Sequence, residues 1–381
     1  MYRGKGIFRA VENSAVPDQR NYGLDLLRIL SMFMIVNLHV LSKGGAMMRI
    51  TGREGTYYAA WFLETCAYCA VDLYGLISGY VGVDSKYRPS RILELWAQVL
   101  FYSAGITLLY RIFAPGLLAA DSLWKAIFPV SWKTYWYFSS YVGLFILMPY
   151  LNKMINSLQE REIKGMAVKL FLVFSVLTAL PKVNGSDFLQ LVGGYSFAWL
   201  LILYLLGAAI RKCSFRRWKN RWYLLSYFGL VTFSWGFKIV VENYTRKVYG
   251  EARFVRMFTG YAAPTILLCA VCLFLIFERM ELKSVMLRKI IRTAAPLAFS
   301  VYLIHTHPLI WENILKGAFG NLANCSFWLI IPAVLVSSAG IYLVCSGVDV
   351  GRRWLFGKWK VKKYSGAFAE WIHQKVWHKK A

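Results

Sequence analysis

The sequence has few charged residues, and acidic residues are the scarcest among them. Only 17% of its 381 residues are charged, with 19 Asp and Glu against 45 Lys and Arg. Soluble domains carry charge on about a quarter of their residues and are about half apolar. Here 58% of the residues are hydrophobic. This imbalance argues against a soluble domain and favours a protein of the lipid bilayer.

The strand-type alternation of polar and apolar residues is also missing, which argues against an outer-membrane barrel. Long apolar runs are present instead, many of them near the roughly 20 residues that a spanning helix needs. A cleavable signal peptide is not expected, because the first run contains Asp25 and Arg28. The sequence predicts an all-α polytopic protein with about ten spans, at 24–41, 58–82, 92–114, 136–152, 166–181, 195–210, 222–241, 262–278, 296–315 and 326–346.

The distribution of Lys and Arg predicts the orientation of these spans. With the N-terminus inside, the predicted inside segments hold 30 of the 45 basic residues and the outside loops hold 11. The positive-inside rule then places both termini in the cytoplasm. The net charge of +26 is therefore interpreted as a topology signal, and nucleic acid is not expected as a partner.

One membrane domain, 24–346, is expected between a cytoplasmic segment, 1–23, and a basic cytoplasmic tail, 347–381. The tail has aromatic and apolar residues near helical spacing with Lys between them, from Trp359 to Val376. This pattern suggests an amphipathic helix on the inner leaflet, with a frayed basic tail as the alternative. The seven cysteines are expected to pack as small apolar residues, and no metal site is expected.

The first predicted span contains three polar residues on one face. Arg28 and His39 are eleven residues apart, close to three helical turns, and Asp25 lies one turn before Arg28. Ionisable residues within spans are costly and are functional candidates by default. The structural alternatives are an Asp25–Arg28 ion pair that anchors the helix and an interfacial role for His39.

Two other spans add polar candidates. The second span contains Glu64 and Asp72, and the depth of Glu64 allows a contact with His39 that would orient the imidazole. The ninth span contains His305, and His307 before Pro308 indicates a kink in its helix. Two buried histidines on different spans suggest a polar cavity within the bundle.

Two further groups of residues lie at the ends of the spans. Arg88 and Arg91 flank a proline in a predicted cytoplasmic loop and could hold phosphates, although positive-inside charge also explains them. Trp136 and Tyr137 lie at the predicted outer face, where aromatic rings could pack against sugars. The alternative for these two is the aromatic belt of the membrane interface.

Taken in order, these segments resemble acyltransferase family 3, a family of integral membrane acyltransferases. Its signature of an Arg, ten residues and a His, with an Asp three before the Arg, matches Arg28, His39 and Asp25. The segment from Asp72 to Tyr80 resembles the family's second span, although Tyr74 stands where Phe is more usual. The remaining matches are Arg88 with Arg91, Trp136–Asn152 and Ser300–His305, so the resemblance covers most of 20–350.

The resemblance implies transfer of an acyl group, usually acetyl from acetyl-CoA, to a hydroxyl of a surface or lipid-linked glycan. His39 would be the general base or a transient acyl carrier, and Arg28 would steady the thioester or its oxyanion. Arg88 and Arg91 would hold cytoplasmic acyl-CoA, in a multi-pass protein of a bacterial plasma membrane. Two other classes fit a polytopic chain: a transporter or flippase of a lipid-linked saccharide, and a non-catalytic partner in an envelope complex.

Reporter fusions after residues 217 and 360 test the predicted topology. Both positions follow clusters of Lys and Arg, so a reporter that is active only in the cytoplasm should be active at both. The same reporter fused within 115–135, a predicted outside loop, should be silent. An extracytoplasmic signal at 217 or 360 would contradict the ten-span model.

Overall fold

The described part of the protein is entirely helical. The computed structural model describes residues 20–50, 52, 54–180, 187, 189–215 and 218–377, and no strand occurs among them. This confirms the predicted all-α class. The helices are α1 Tyr22–Leu41, α2 Glu54–Ala67, α3 Ala70–Gly82, α4 Pro89–Phe113, α5 Ser122–Ile127, α6 Trp136–Ser157, α7 Glu160–Phe171, α8 Leu177–Ala179, α9 Phe197–Lys212, α10 Asn220–Tyr249, α11 Pro264–Glu278, α12 Val285–Ala294, α13 Ala298–His305, α14 Pro308–Ile310, α15 Phe327–Lys358 and α16 Val361–Trp377.

Five helical stretches in the described residues are long and apolar enough to cross a membrane. They are Tyr22–Leu41, Glu54–Gly82, Pro89–Phe113, Asn220–Tyr249 and Phe327–Lys358. Helix α11 is apolar but shorter. The remaining predicted spans fall on α6, α7 with α8, α9 and α13. The chain is thus a helical membrane protein, while the count of ten spans and the cytoplasmic termini stay predictions.

The predicted span 296–315 contains a break at the position that His307 and Pro308 indicated. Helix α13 ends at His305, and His307 adopts an extended conformation, with φ −56° and ψ 132°. A proline disfavours the helical conformation of the residue before it, and Pro308 follows His307. The ring of His307 then accepts a hydrogen bond from the backbone N–H of Leu309 and caps α14. The kink indicated by the sequence is therefore present and ends α13 at a histidine.

The last predicted span, 326–346, continues beyond the boundary placed at 347. Helix α15 runs without interruption from Phe327 to Lys358, and α16 follows after a short turn. Helix α16 packs against α4 and α15. Part of its aromatic surface stays exposed, including Tyr364, Phe368 and Trp371. A helix in the tail is thus present, and its position on the inner leaflet stays a prediction.

Glycines let α3 and α9 approach each other closely. A Cβ atom built on Gly79 would lie 1.9 Å from the carbonyl oxygen of Tyr204, and one on Gly207 would lie 2.1 Å from that of Leu76. Small residues at such crossings allow backbone contact in membranes, where packing replaces the hydrophobic effect as the force between helices. The crossing fixes the height of α3, which contains Asp72.

Gly79→Ala should therefore weaken the α3–α9 crossing. The added methyl has no space, and overpacking of this kind costs about 1–3 kcal/mol. We expect a lower yield of folded protein in detergent and a lower midpoint of thermal aggregation. Gly105→Ala in α4 is the matched control, because a Cβ at Gly105 meets no atom within 4 Å. Equal stability of the two variants would contradict the close packing at Gly79.

Candidate active site

Two histidines from different helices meet in the bundle. His39 lies in the last turn of α1 and His305 is the last residue of α13. Nδ1 of His39 lies 2.8 Å from Nε2 of His305, and Nδ1 of His305 lies 2.5 Å from the carbonyl oxygen of Val301. His305 is 3% exposed, whereas His39 is partly exposed. The two histidines for which the sequence suggested a polar cavity are thus in direct contact.

The hydrogen bonds assign the tautomers of two neutral rings. A carbonyl oxygen only accepts, so Nδ1 of His305 must donate to Val301. Nε2 of His305 is then an acceptor, and Nδ1 of His39 must donate to it. The lone pair of His39 is therefore on Nε2, which has no hydrogen-bond partner among the described residues. This nitrogen is oriented and available to take a proton.

The segment that follows α13, here called the cover, packs against His39. The ring of Trp311 packs edge-on against His39, with centroids 4.7 Å apart. Lys43, just after α1, forms an ion pair with Glu312 and lies over the Trp311 ring. Glu312 also forms an ion pair with Lys316 at 3.1 Å, so two lysines compensate its charge. These contacts thus join the cover to Lys43, four residues after His39.

The backbones of this cover and of the segment after α1 are interlocked. The N–H of Gly317 donates to the carbonyl of Lys43 at 2.9 Å, and the N–H of Phe319 donates to that of Gly44 at 2.8 Å. Gly45 has a φ of +85°, which favours glycine, and a Cβ there would lie 3.2 Å from the Cα of Gly317. This contact holds Trp311 in place against His39.

Arg28 lies far from His39 along α1. The helix is continuous, so eleven residues separate the two by about 16 Å along its axis. Arg28 donates to Asp25 at 2.5 Å, and Asp25, 4% exposed, also accepts from Arg20. The anchoring ion pair considered as an alternative is therefore present. Arg28 and His39 cannot contact the same reacting atom.

Tyrosines occupy the space near Arg28. The hydroxyl of Tyr74 donates to the carbonyl of Arg28 at 2.8 Å, and Tyr74 packs against Tyr137. Tyr137 in turn packs against Tyr302, one turn before His305. Tyr137 is therefore part of a row of rings leading from Arg28 towards the histidines, which the sequence did not indicate.

Glu64 and Asp72 do not join the histidine pair. Glu64 accepts from the hydroxyl of Tyr68 at 3.0 Å and lies within electrostatic range of Lys238 and Arg256. Asp72, fully buried, accepts from the indole N–H of Trp199 at 2.9 Å. The contact considered between Glu64 and His39 is absent, because the Nδ1–H of His39 donates to His305 and Glu64 accepts from Tyr68. One carboxylate oxygen of each acid is buried without a partner among the described residues.

Trp136 begins a row of aromatic rings that ends at Glu64. Its ring lies 4.9 Å from that of Tyr195, which lies 4.9 Å from Tyr261. Tyr261 packs against Tyr68 at 5.8 Å, and Tyr68 donates to Glu64. Tyr195 is 49% exposed. The row thus joins an accessible ring to a buried carboxylate with one free oxygen.

Lys238, which lies within the predicted span 222–241, is paired. It is 1% exposed, donates to Glu242 and Tyr57, and lies 3.6 Å from the centre of the Trp61 ring. Its charge is therefore compensated within the contact between α10 and α2. Its role is explained by packing alone.

A cavity of about 560 Å³ opens between α4, α15 and α16. Arg91 lines it, whereas Arg88 precedes α4, is exposed and does not line it. Helices α15 and α16 add three more cations, which the sequence analysis assigned only to the tail. The lining comprises Arg91, Glu94, Leu95, Gln98, Tyr141, Arg352, Arg353, Phe356, Gly357, Val361 and Lys362.

A buried network forms the wall of this cavity. Asp349, fully buried, accepts from Arg352, from Tyr102 and from Ser300, and Gln98 donates to Ser300. The sequence analysis missed Asp349 and Arg352. The available signal was an acid and a base at i,i+3 directly after an apolar run, the same spacing as Asp25 and Arg28.

Comparison with known proteins identifies the family of the chain. The model of an acyltransferase domain, that of acyltransferase family 3, matches residues 21–347. No curated protein and no solved structure shows a significant match. Because the family model covers most of the chain, the chain belongs to acyltransferase family 3.

Proposed function

We propose that this membrane acyltransferase moves an acyl group from cytoplasmic acyl-CoA to a hydroxyl of a cell-surface or lipid-linked glycan. Acetyl-CoA is the donor that the family resemblance implies. The observation that carries the proposal is the hydrogen bond between His39 and His305, which leaves Nε2 of His39 as an oriented and unpartnered acceptor.

His39 acts as the general base in this reaction. Its Nε2 takes the proton of the acceptor hydroxyl while the hydroxyl oxygen bonds to the thioester carbonyl carbon. The carbon–sulfur bond then breaks, and the proton passes to the departing thiolate. A route through an acyl-histidine would use the same nitrogen, so both routes need the His39 tautomer that His305 imposes.

His305 is a positioning residue in this scheme. It contacts no substrate atom in the proposed step, and its hydrogen bond fixes the ring of His39 and the position of its proton. An acceptor at one ring nitrogen of a histidine fixes the proton there and leaves the other nitrogen free to act as a base.

The two substrates approach from opposite ends of the bundle. The basic cavity with Arg91 supports entry of the donor phosphates from the cytoplasmic end. The rings of Tyr74, Tyr137 and Tyr302 follow one another from Arg28 towards the histidines and support a path for the donor arm. The ring row that begins at Trp136 and ends at Glu64 supports binding of a sugar, by stacking and by a hydroxyl donating to the free carboxylate oxygen.

Replacing His39 tests the proposed base. His39→Gln should lower the rate of acyl transfer by about 10²–10⁴-fold, because an amide does not take up a proton near neutral pH. Acylated glycan is measured beside the amount of protein in the membrane. His373→Gln in α16 is the matched control and should leave the rate unchanged. Near wild-type product from His39→Gln would contradict the assignment of His39 as the general base. A defect in glycan export without loss of acylation would favour a transporter of a lipid-linked saccharide.

Two variants of His305 separate positioning from packing. The amide oxygen of His305→Gln can still accept from Nδ1 of His39, whereas His305→Leu cannot. We therefore expect the Gln variant to retain more kcat than the Leu variant, with little change in donor KM for either. Equal activities at equal protein levels would mean that the hydrogen bond has no role in the rate.

Arg91 and Arg88 provide a paired test of the donor end. Arg91→Gln should raise the apparent KM for acyl-CoA by about 10-fold or more, since charge-assisted contacts contribute about 1.5–3 kcal/mol each. Arg88→Gln removes the same charge three residues earlier, outside the cavity, and should change KM little. The comparison is made with titrated donor and solubilised enzyme. Equal effects of the two variants would indicate a general effect of surface charge.

A further inference from the structure

We propose that the phosphates of the donor nucleotide bind to cations from beyond the family domain, namely Arg352, Arg353 and Lys362, together with Arg91. This inference rests on the proposed function, because it takes acyl-CoA as the donor. The family model ends at residue 347, so α16 and the last three turns of α15 lie outside it. The C-terminal segment would thus complete the donor site of the membrane domain.

The charge of the cavity matches a polyanion. Among the residues that the structure describes, four cations line it and Glu94 is the only acidic lining residue. In the part of the chain that the structure describes, Arg91, Arg353 and Lys362 form no ion pair with a carboxylate. Cations gathered around a concave volume attract phosphates more strongly than cations spread over a surface. An excess of Lys and Arg in cytoplasmic segments would not by itself require these four cations to line one cavity.

Hydrogen bonds to Asp349 hold the Arg352 guanidinium in a fixed position at the cavity. Arg352 is 8% exposed, and its Nε and one Nη donate to Asp349 at 2.5 and 3.1 Å. Asp349 also accepts from Tyr102 on α4 and Ser300 on α13. Three helices therefore fix one guanidinium at the cavity wall. A fork held in this way loses little side-chain freedom when it binds a phosphate.

The shape and remaining lining also fit a nucleotide. The ring of Phe356 lies 4.7 Å from the Arg352 guanidinium carbon, and Tyr141 of α6 also lines the cavity. Flat rings of this kind stack with a base, and stacking tolerates any base because each has a π face. A cavity of about 560 Å³ lies within the range of small-molecule sites.

A row of unpaired polar atoms leads from this cavity into the bundle. Ser346, Tyr342 and Ser338 follow one another at i,i+4 spacing on α15, and Ser346 is seven residues from Arg353, on the same face. The hydroxyl oxygens of all three are buried and have no partner among the described residues. Buried polar groups normally find partners. The amides of the donor arm would supply them along the path towards the tyrosines near Arg28.

The test compares the binding of CoA and dephospho-CoA to the full-length protein in nanodiscs of neutral phosphatidylcholine. Wild type should bind CoA more tightly than dephospho-CoA, which lacks one phosphate. The double variant Arg353→Gln with Lys362→Gln should lose about 10-fold or more in CoA affinity and lose most of this preference. Arg352 is kept, because its removal would leave Asp349 buried without its partner.

The matched control is Lys358→Gln with Lys363→Gln. Lys358 lies on α15 and Lys363 on α16, and neither lines the cavity. Their replacement removes the same two positive charges as the double variant. Control affinity should equal that of wild type. Equal CoA affinity of the double variant and wild type would overturn the inference while leaving the proposed function intact. If wild type binds no CoA at all, the proposed donor itself is wrong.

An anionic lipid headgroup has the same phosphate chemistry, and a second arm distinguishes it. Bound phosphatidylglycerol is counted by native mass spectrometry for wild type, the double variant and the control. Loss of bound lipid in the double variant with unchanged CoA affinity would make the cavity a lipid site and overturn the inference. Loss of CoA affinity with unchanged lipid count supports it.

Discussion

The hydrogen bond between His39 and His305 is the contact on which the proposed chemistry depends. It exists because two helices end at the same depth: α1 two residues beyond His39, and α13 at His305 itself. The end of α13 follows from Pro308, which forces His307 out of the helix. The chain then turns back as Trp311 and the cover over His39. Pro308 therefore determines both the position of His305 at the end of α13 and the position of the Trp311 ring against His39.

The bilayer explains why the other charges are arranged as they are. An unpaired charge in hydrocarbon is costly, so acids and bases within spans are found together. Asp25 with Arg28, Asp349 with Arg352 and Lys238 with Glu242 are all formed within single helices, at spacings of three or four residues. Glu64 and Asp72 differ from these pairs, because each keeps one buried oxygen without a partner among the described residues. Both acids therefore retain an acceptor oxygen that the paired acids do not have.

Arg28 and His39 are too far apart to contact the same part of a substrate. A helix without a break keeps them about 16 Å apart along its axis. The basic cavity lies at the end of the bundle where α4 begins and α15 ends, and His39 lies at the opposite end of α1. A donor with phosphates at one end and a thioester at the other spans such a distance. The eleven-residue spacing of Arg28 and His39 thus determines how far apart the two side chains lie along α1.

The sequence by itself determined the helical membrane class, the positions of most helices, the Asp25–Arg28 pair and the polar candidates His39 and His305. These follow from hydropathy and helical periodicity, which are local properties of the chain. The partner of His39, the burial of Asp349 and the union of Arg91 with Arg352, Arg353 and Lys362 were decided only by the tertiary structure. Each joins residues more than 200 positions apart, and periodicity gives the face of a helix but not the helix that this face meets. Glu64 shows the same limit: its depth was compatible with a contact to His39, but the packing of α2 placed it beside Tyr68 and in range of Lys238 instead.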